Sequence, residues 1–374
     1  MSAVASARTA PPAGRSLWQD AARRLRANRA AMASLAVLVA MALACLVGPW
    51  LTGHPHDRAY RDYVRVPASL EAHPRAEALP EAVRRIAARM RASVVETGQS
   101  GEDLRVVLTA ARPIDQRLLA YFERSDLFGP ARLVASEEDG RRLVLSVPIE
   151  RQRFLLGTDG NGRDLLTRTL MAGRVSLAIG LLATGVALVI GVTYGAVAGY
   201  AGGRIDMVMM RVVDVLYALP FIFLAILLVV FFGRNLVLMF IAVGAIEWLD
   251  MARIVRGQTL SIRRRDYVLA AEALGVPPGG VLRRHIVPNL LGPLIVYVTL
   301  LVPKVILLES FLSFLGLGVQ EPMTSWGVLI ADGARAIQGE PGLLAFPAAF
   351  LVTTLFALNF LGDGLRDALD PRER

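Results

Sequence analysis

Few residues in this chain are of a type that performs chemistry. Lys304 is the only lysine among 41 basic residues, and Pro303 precedes it. A G-x-x-x-x-G-K-[ST] phosphate loop needs glycine before its lysine, so no such nucleotide site exists here. Gly157, Gly160 and Gly162 surround Asp159, which could suggest a phosphate cradle. No strand is expected before them and no G-x-G-x-x-G register fits, so that reading is set aside. Cys45 stands alone inside an apolar run, which excludes an internal disulfide and a cysteine-based zinc site. His54 and His56 flank Pro55 and read as loop residues rather than metal ligands. No catalytic residue and no metal site is assigned.

The remaining candidates are charges inside apolar segments. Lys304 and Glu309 interrupt the run from Ile286 to Phe311. Ionisable groups within a membrane mark substrate pathways by default, so both are pathway candidates. The alternative is that both snorkel to the outer interface. Five positions place them ~140° apart on a helix, which argues against a direct ion pair. Lys304 follows Ile286 by 18 residues, about 27 Å of helix, so it is expected near the outer end, reaching water, and replaceable by Met. Glu247 and Asp250 sit toward the inner end of Asn235–Ala252, where Asp250 could pair with Arg253 three residues on.

The elements that would hold these groups follow from composition. The chain of 374 residues is 54% hydrophobic with a formal charge of +9, and its mean hydropathy is +0.49. Long uncharged runs at that composition predict a polytopic membrane protein. Residues 1–29 form an Arg-rich tail in which the Pro11–Pro12 half is disordered and Leu17–Asn28 is a basic interfacial helix. Residues 30–53 form a first transmembrane helix, too long for a cleaved signal peptide. Residues 54–153 differ: near-balanced charge and spaced apolar residues predict a small α+β insertion. Within it, helices are expected at Pro80–Arg91 and Pro113–Phe122, with a strand at Leu104–Leu108. A type I′ hairpin is expected to join Arg132–Ser136 to Arg142–Val147 around Asp139-Gly140.

Residues 154–374 return to the membrane. Arg163–Ala172 is expected to lie at the interface with Leu165, Leu166, Thr169 and Leu170 inward. Spans follow at about 175–203, 210–233, 235–254, 286–311 and 341–362, with a loop at 255–285. Glycines at 180, 185, 191, 195 and 199 suit close helix packing, and Pro220 is expected to kink the third span. Residues 312–340 read as an extramembrane or re-entrant return. Arginine placement sets the orientation. Six fall between Arg8 and Arg29 and seven between Arg253 and Arg284, with Arg204, Arg211, Arg366, Arg372 and Arg374 on the same side. Only Arg234 and Arg335 oppose them in short loops. Both termini and the 255–285 loop are therefore expected inside, and the insertion outside.

That loop carries RRRDYVLAAEALGVPPGGVLRRHIVPN at 263–289. Asp266 is expected to N-cap a short helix, Gly275 to end it in a left-handed cap, and Pro277-Pro278 to start a second. Tyr267, Ala270, Ala271 and Leu274 would share one face, and Arg265, Leu269 and Glu272 another. Ala270-Ala271, three residues, then Gly275 resembles the EAA loop of ABC-importer permeases, with Leu269 where the family has its leading Glu. LLGTDGNGRDLLTR at 155–168, WLDMARIVRGQTLS at 248–261, ESFLSFLGLGVQEP at 309–322 and GDGLRDALDP at 362–371 extend the likeness. Over about 220 residues and the first span, the sequence looks like the C-type membrane subunit of oligopeptide ABC importers. The 54–153 insertion is not covered.

The resemblance implies an all-α polytopic membrane protein with six transmembrane helices, an EAA-type cytoplasmic coupling loop and an extracytoplasmic α+β insertion. It implies a multi-pass permease of the bacterial inner membrane, moving oligopeptides by alternating access with no enzymatic activity of its own. Tyr267, Ala270, Ala271, Glu272 and Gly275 would couple to the ATPases. Implied partners are a homologous second permease, two cytoplasmic ATPases that use ATP and Mg, an extracytoplasmic peptide-binding protein and membrane lipid. No cofactor on this chain and no nucleic acid is expected. The same machinery could carry dipeptides, nickel chelates or antimicrobial peptides. A secondary transporter or membrane sensor is the more distant alternative.

Overall fold

The computed structural model describes residues 17–369 except 221–222, 224–225, 228–229, 232 and 234–235. The Pro11–Pro12 segment, much of the expected third span, Arg234 and the tail from residue 370 lie outside the described residues. Contacts divide the chain into two units: one is Cys45–Ala172 with Leu329–Ala348, the other takes the remainder.

The first unit is built on a four-stranded antiparallel sheet of order β1-β2-β4-β3, with β1 Ser93–Ser100, β2 Asp103–Thr109, β3 Arg132–Glu137 and β4 Arg142–Pro148. Leu104, Val106 and Leu108 on β2 stand directly opposite Val147, Leu145 and Leu143 on β4. They pack with Val83 and Ile86 of helix α3 (Leu79–Arg89), and with Phe122 and Phe128. These are the central strands, so period-two burial fills the core. Strand β1 was not legible in the sequence: it is a polar edge strand, SVVETGQS, exposed along most of its length. The hairpin loop is also longer than the expected two residues. Glu137 and Arg142 close the ladder, and Glu138, Asp139 and Gly140 all take positive φ. The Pro113–Phe122 helix is a 3-10 turn, Gln116–Leu119, running into one helical turn, α4 (Ala120–Glu123).

The stretch from 54 to 73 is bonded to 150–164. His54 packs against Phe154 at 4.9 Å between ring centres, and its ring nitrogens meet the Tyr60 hydroxyl at 3.0 Å and the Arg153 carbonyl at 3.1 Å. Tyr63 donates to the carbonyls of His73 and Glu150, and burial pushes its phenol pKa up. Gly157 and Gly162 have positive φ, and a Cβ on either would strike the Val66 or Tyr60 carbonyl. Asp159 is buried here. Burial alone would raise its pKa, but the backbone N–H of Arg163 and the guanidiniums of Arg168 and Arg163 hold it below the ordinary carboxylate range. Asp164 accepts the Thr167 N–H at 2.7 Å and caps the following helix.

His73 is buried and its Nε2 has no partner among the described residues. Burial, then Arg75, lowers its pKa from 6.5. The unfolded chain therefore takes up a proton first as pH falls. This contribution to stability is complete above about pH 6.5 and is lost on acidification below it. A lower melting temperature at pH 5.5 than at 7.5, with a smaller difference in His73→Phe, is the expected result. An identical pH dependence in that variant would exclude His73 as its source.

The second unit is helical. Helices α1 (Leu17–Ala27) and α2 (Arg29–Leu51) join at Asn28, whose side chain accepts the Ala31 N–H at 3.1 Å. The expected interfacial helix and second span are one helix of 37 residues, α5 (Leu165–Ala201), because the single Gly173 between Ala172 and Val175 weakens the helix without ending it. A methyl at Gly191, Gly195 or Gly199 would run into Met251, the Ala252 carbonyl or the Arg256 carbonyl of α7 (Leu236–Ile262). Among the described residues, nothing lies within 4 Å of a Cβ at Gly185. Helix α6 (Gly203–Ala218) ends before Pro220 instead of kinking there, since Leu219 takes the extended conformation that proline imposes on its predecessor. Arg256 grips Asp206 with two nitrogens, at 2.5 and 2.6 Å. Arg253 reaches Asp214 at 2.9 Å and stacks over Tyr217. The expected Asp250–Arg253 pair is therefore replaced on both sides. Helix α7 also runs to Ile262, two turns into the expected loop.

Candidate functional site

After Ile262 the chain turns and enters α8 (Asp266–Ala273). Arg265, in extended conformation, is the N-cap, and Asp266 is the first helical residue, not the cap as expected. The carboxylate still lies at the positive end of the helix. The other end matches expectation. Gly275 has φ 79°, its N–H donates to the Glu272 carbonyl at 3.0 Å, and Val276 N–H reaches the Ala271 carbonyl at 3.1 Å. These two bonds make a Schellman ending. Pro277 and Pro278 then start α9 (Pro278–Val281). A π turn, Leu282–Ile286, carries it into α10 (Val287–Phe314). The second short helix and the fifth span are thus continuous, since nothing between Gly280 and Ile286 stops the helix.

Burial splits the expected coupling residues. Val268 faces inward with Val281 and Ile286, Ala271 is buried, and Glu272 lies within hydrogen-bonding reach of the Tyr200 hydroxyl. Tyr267, Leu269 and Ala270 are exposed, and Leu274 is 85% exposed. The single Tyr267–Ala270–Ala271–Leu274 face is corrected accordingly: with Val268 as anchor, helical spacing turns Ala271 to the body. What remains outside is a short apolar edge of large side chains, ending in Gly275, above which a Cβ would meet nothing.

Lys304 and Glu309 lie in separate environments, as their spacing implies. Lys304 does not simply reach for water. Its Nζ donates to Glu247 Oε2 at 2.9 Å and Asp250 Oδ2 at 3.0 Å, with the lysine side chain 51% exposed and that of Glu247 2%. Glu309 is fully buried, which overturns snorkelling for it. Ser313 donates to its Oε1 at 2.7 Å, and Ser176 and Ser310 to its Oε2. Ser176 also accepts the N–H of Trp326, the first residue of α11 (Trp326–Arg335). These bonds join α5, α10 and the start of α11 around one carboxyl group. Ser313, one turn after Glu309 in ESFLSFLG, is the part of this cluster visible in sequence. Ser176 comes from another segment and was not.

Among the described residues, four helices are long and apolar enough to cross a membrane: Arg29–Leu51, Leu165–Ala201, Pro278–Phe314 and Gly342–Leu369. The last, α12, continues the expected 341–362 span through GDGLRDAL. Long apolar helices, two of them joined at the buried Glu309 carboxyl group through Ser176, fit a polytopic membrane protein. Residues 191–374 match the family described as binding-protein-dependent transport system inner membrane component, and residues 16–69 match the N-terminal TM domain of oligopeptide transport permease C. Oligopeptide transport system permease protein OppC of Escherichia coli K12 is 44% identical over 361 residues, covering 96% of this chain and 93% of the relative. The Haemophilus influenzae protein of the same name is 52% identical over 238 residues, 64% of this chain and 76% of its own. Dipeptide transport system permease protein DppC of Bacillus subtilis is 50% identical over 219 residues, 58% and 68%. The chain belongs to this family of binding-protein-dependent transport permeases. Residues 70–190 lie outside both family matches, but an alignment over 96% of this chain takes in the 54–153 segment, so the likeness is not confined to the spans as expected.

Proposed function

We propose that this chain is the permease subunit of an ATP-driven importer that moves oligopeptides across the bacterial inner membrane by alternating access. Its partners are a homologous second permease, two cytoplasmic ATPases that consume ATP with Mg, and an extracytoplasmic peptide-binding protein. The chain itself hydrolyses nothing and carries no cofactor. Six spans, with both termini and the α8–α9 loop inside and the 54–153 insertion outside, complete the reading.

The observation that carries it is the exposed apolar edge of Tyr267 and Leu274, which share one side of a helix anchored by the buried Val268 and Ala271. An apolar edge on a rigid, capped helix suits docking to another protein. Because α9 runs on into α10, movement of the docked loop would be passed to a span as a rigid body. Identity to permeases named for oligopeptides supports the cargo. The 50% identity to a dipeptide permease favours dipeptides as the second reading.

In proteoliposomes containing both permeases, both ATPases and the binding protein, tetrapeptide uptake is expected to require ATP and every subunit. Preference for dipeptides over tetrapeptides would support the second reading. Uptake that persists without the ATPases and follows a proton gradient would overturn the importer and point to a secondary transporter.

A further inference from the structure

Lys304, Glu247 and Asp250 raise a solvation problem. Two carboxylates against one ammonium leave one formal negative charge, and half of the Lys304 side chain and 27% of that of Asp250 are exposed. Hydrocarbon does not solvate such a group, so the face it occupies must border water or protein. Directly beside it lies a cavity of about 510 Å³. Two residues link the features: Ile254, one turn after Asp250, and Leu300, one turn before Lys304, both line the cavity. The cavity continues past Leu300 and Gln258 to Gly292 and Pro293, with Arg366 of α12 also on its wall.

The two charged positions can be placed along the groove. Gly362 packs against Thr299 and Leu300, while Leu369 lines the cavity together with Gly292 and Pro293. Helix α12 therefore descends as α10 ascends, and Arg366, one turn after Gly362, falls near the level of Val296. Lys304 lies eight residues beyond Val296, about 12 Å at 1.5 Å per residue. An extended peptide advances about 3.3 Å per residue, so a peptide of a few residues matches this scale. The volume also falls within the roughly 300–1,000 Å³ of small-ligand sites.

We propose that this groove is a station for the two main-chain charges of a short peptide, with the α-ammonium at Asp250 and the α-carboxylate at Arg366. The proposal rests on the permease reading above and names what that permease recognises. Lys304 holds Asp250 in position and keeps the buried Glu247 paired, leaving Asp250 as the exposed acceptor. Carboxylate–ammonium and guanidinium–carboxylate contacts are charge-assisted, which suits recognition of ends common to all peptides regardless of side chains.

The test compares uptake of one tetrapeptide in three forms, with free ends, N-acetylated and C-amidated, by the assembled transporter. The binding protein is the same throughout, so its own preferences cancel when each variant is divided by wild type. Asp250→Asn is expected to shrink the preference for free over acetylated peptide about tenfold while leaving free over amidated unchanged. Arg366→Gln is expected to do the reverse. Asp250→Glu and Arg366→Lys should retain each preference in large part, which separates recognition from loss of folded protein. Equal effects of each variant on all three peptides would overturn the station while leaving the permease reading intact. No ATP-dependent uptake of any form by wild type would instead overturn the permease reading on which it rests.

Discussion

Lys304→Met is expected to remove most of the folded protein from the membrane, although methionine suits an apolar helix better than lysine does. The reason is the carboxylate left behind. Glu247 is 1% exposed, and Lys304 is its only recorded ion-pair partner among the described residues, with Asp250 sharing the same ammonium. Truncating one partner of a buried pair costs about 3–5 kcal/mol. Lys304 is half exposed, so a figure of about 2–3 kcal/mol fits better, still a large share of a protein's total stability. Glu247→Gln on top of Lys304→Met should recover much of the loss, because the amide needs no counter-charge. The measurement is the abundance and detergent melting temperature of the single and double variants. Wild-type stability of Lys304→Met alone would mean that Glu247 finds another partner or takes a proton at no cost.

Position 304 also marks the limit of reading along one helix. Spacing separated Lys304 from Glu309 correctly, because that is a property of α10 alone. It sent Lys304 to water because the partners, Glu247 and Asp250, sit 57 and 54 residues away. Both acids were visible, but Asp250 had a nearer candidate in Arg253, which Asp214 takes instead. The helical class, the four apolar spans, the central strands β2 and β4 and the left-handed Gly275 were all legible, since each follows from local periodicity or a local backbone demand. Edge strand β1 was not, because a strand without a buried face carries no period-two signal. Within the 266–275 helix, residue types identified the site but not its inward face. That was decided by Val268, which meets Val281 and Ile286 in the core.

The separation of inward from outward residues bears on Gly275→Val, which is expected to leave the protein in the membrane at normal abundance yet lower peptide uptake about tenfold. Gly275 has φ 79° with nothing within 4 Å of where a Cβ would stand, so the substitution meets no steric obstacle. Its cost is conformational: a β-branched residue in the left-handed region loses roughly 1–2 kcal/mol, which is about tenfold in the population of the correct helix ending. The Schellman bonds to Ala271 and Glu272 hold Leu274 and the entry to Pro277 in place. Without them the apolar edge is presented in several orientations, and ATP hydrolysis by the partners should continue with less peptide moved per ATP. A graded series supports this cause over a contact effect. Gly275→Asn should be nearest wild type, because asparagine tolerates positive φ; Gly275→Ala should be intermediate, and Gly275→Val worst. The quantity to record is the ratio of peptide transported to ATP consumed in the reconstituted complex. Normal coupling in Gly275→Val at normal abundance would remove this loop from the transport cycle.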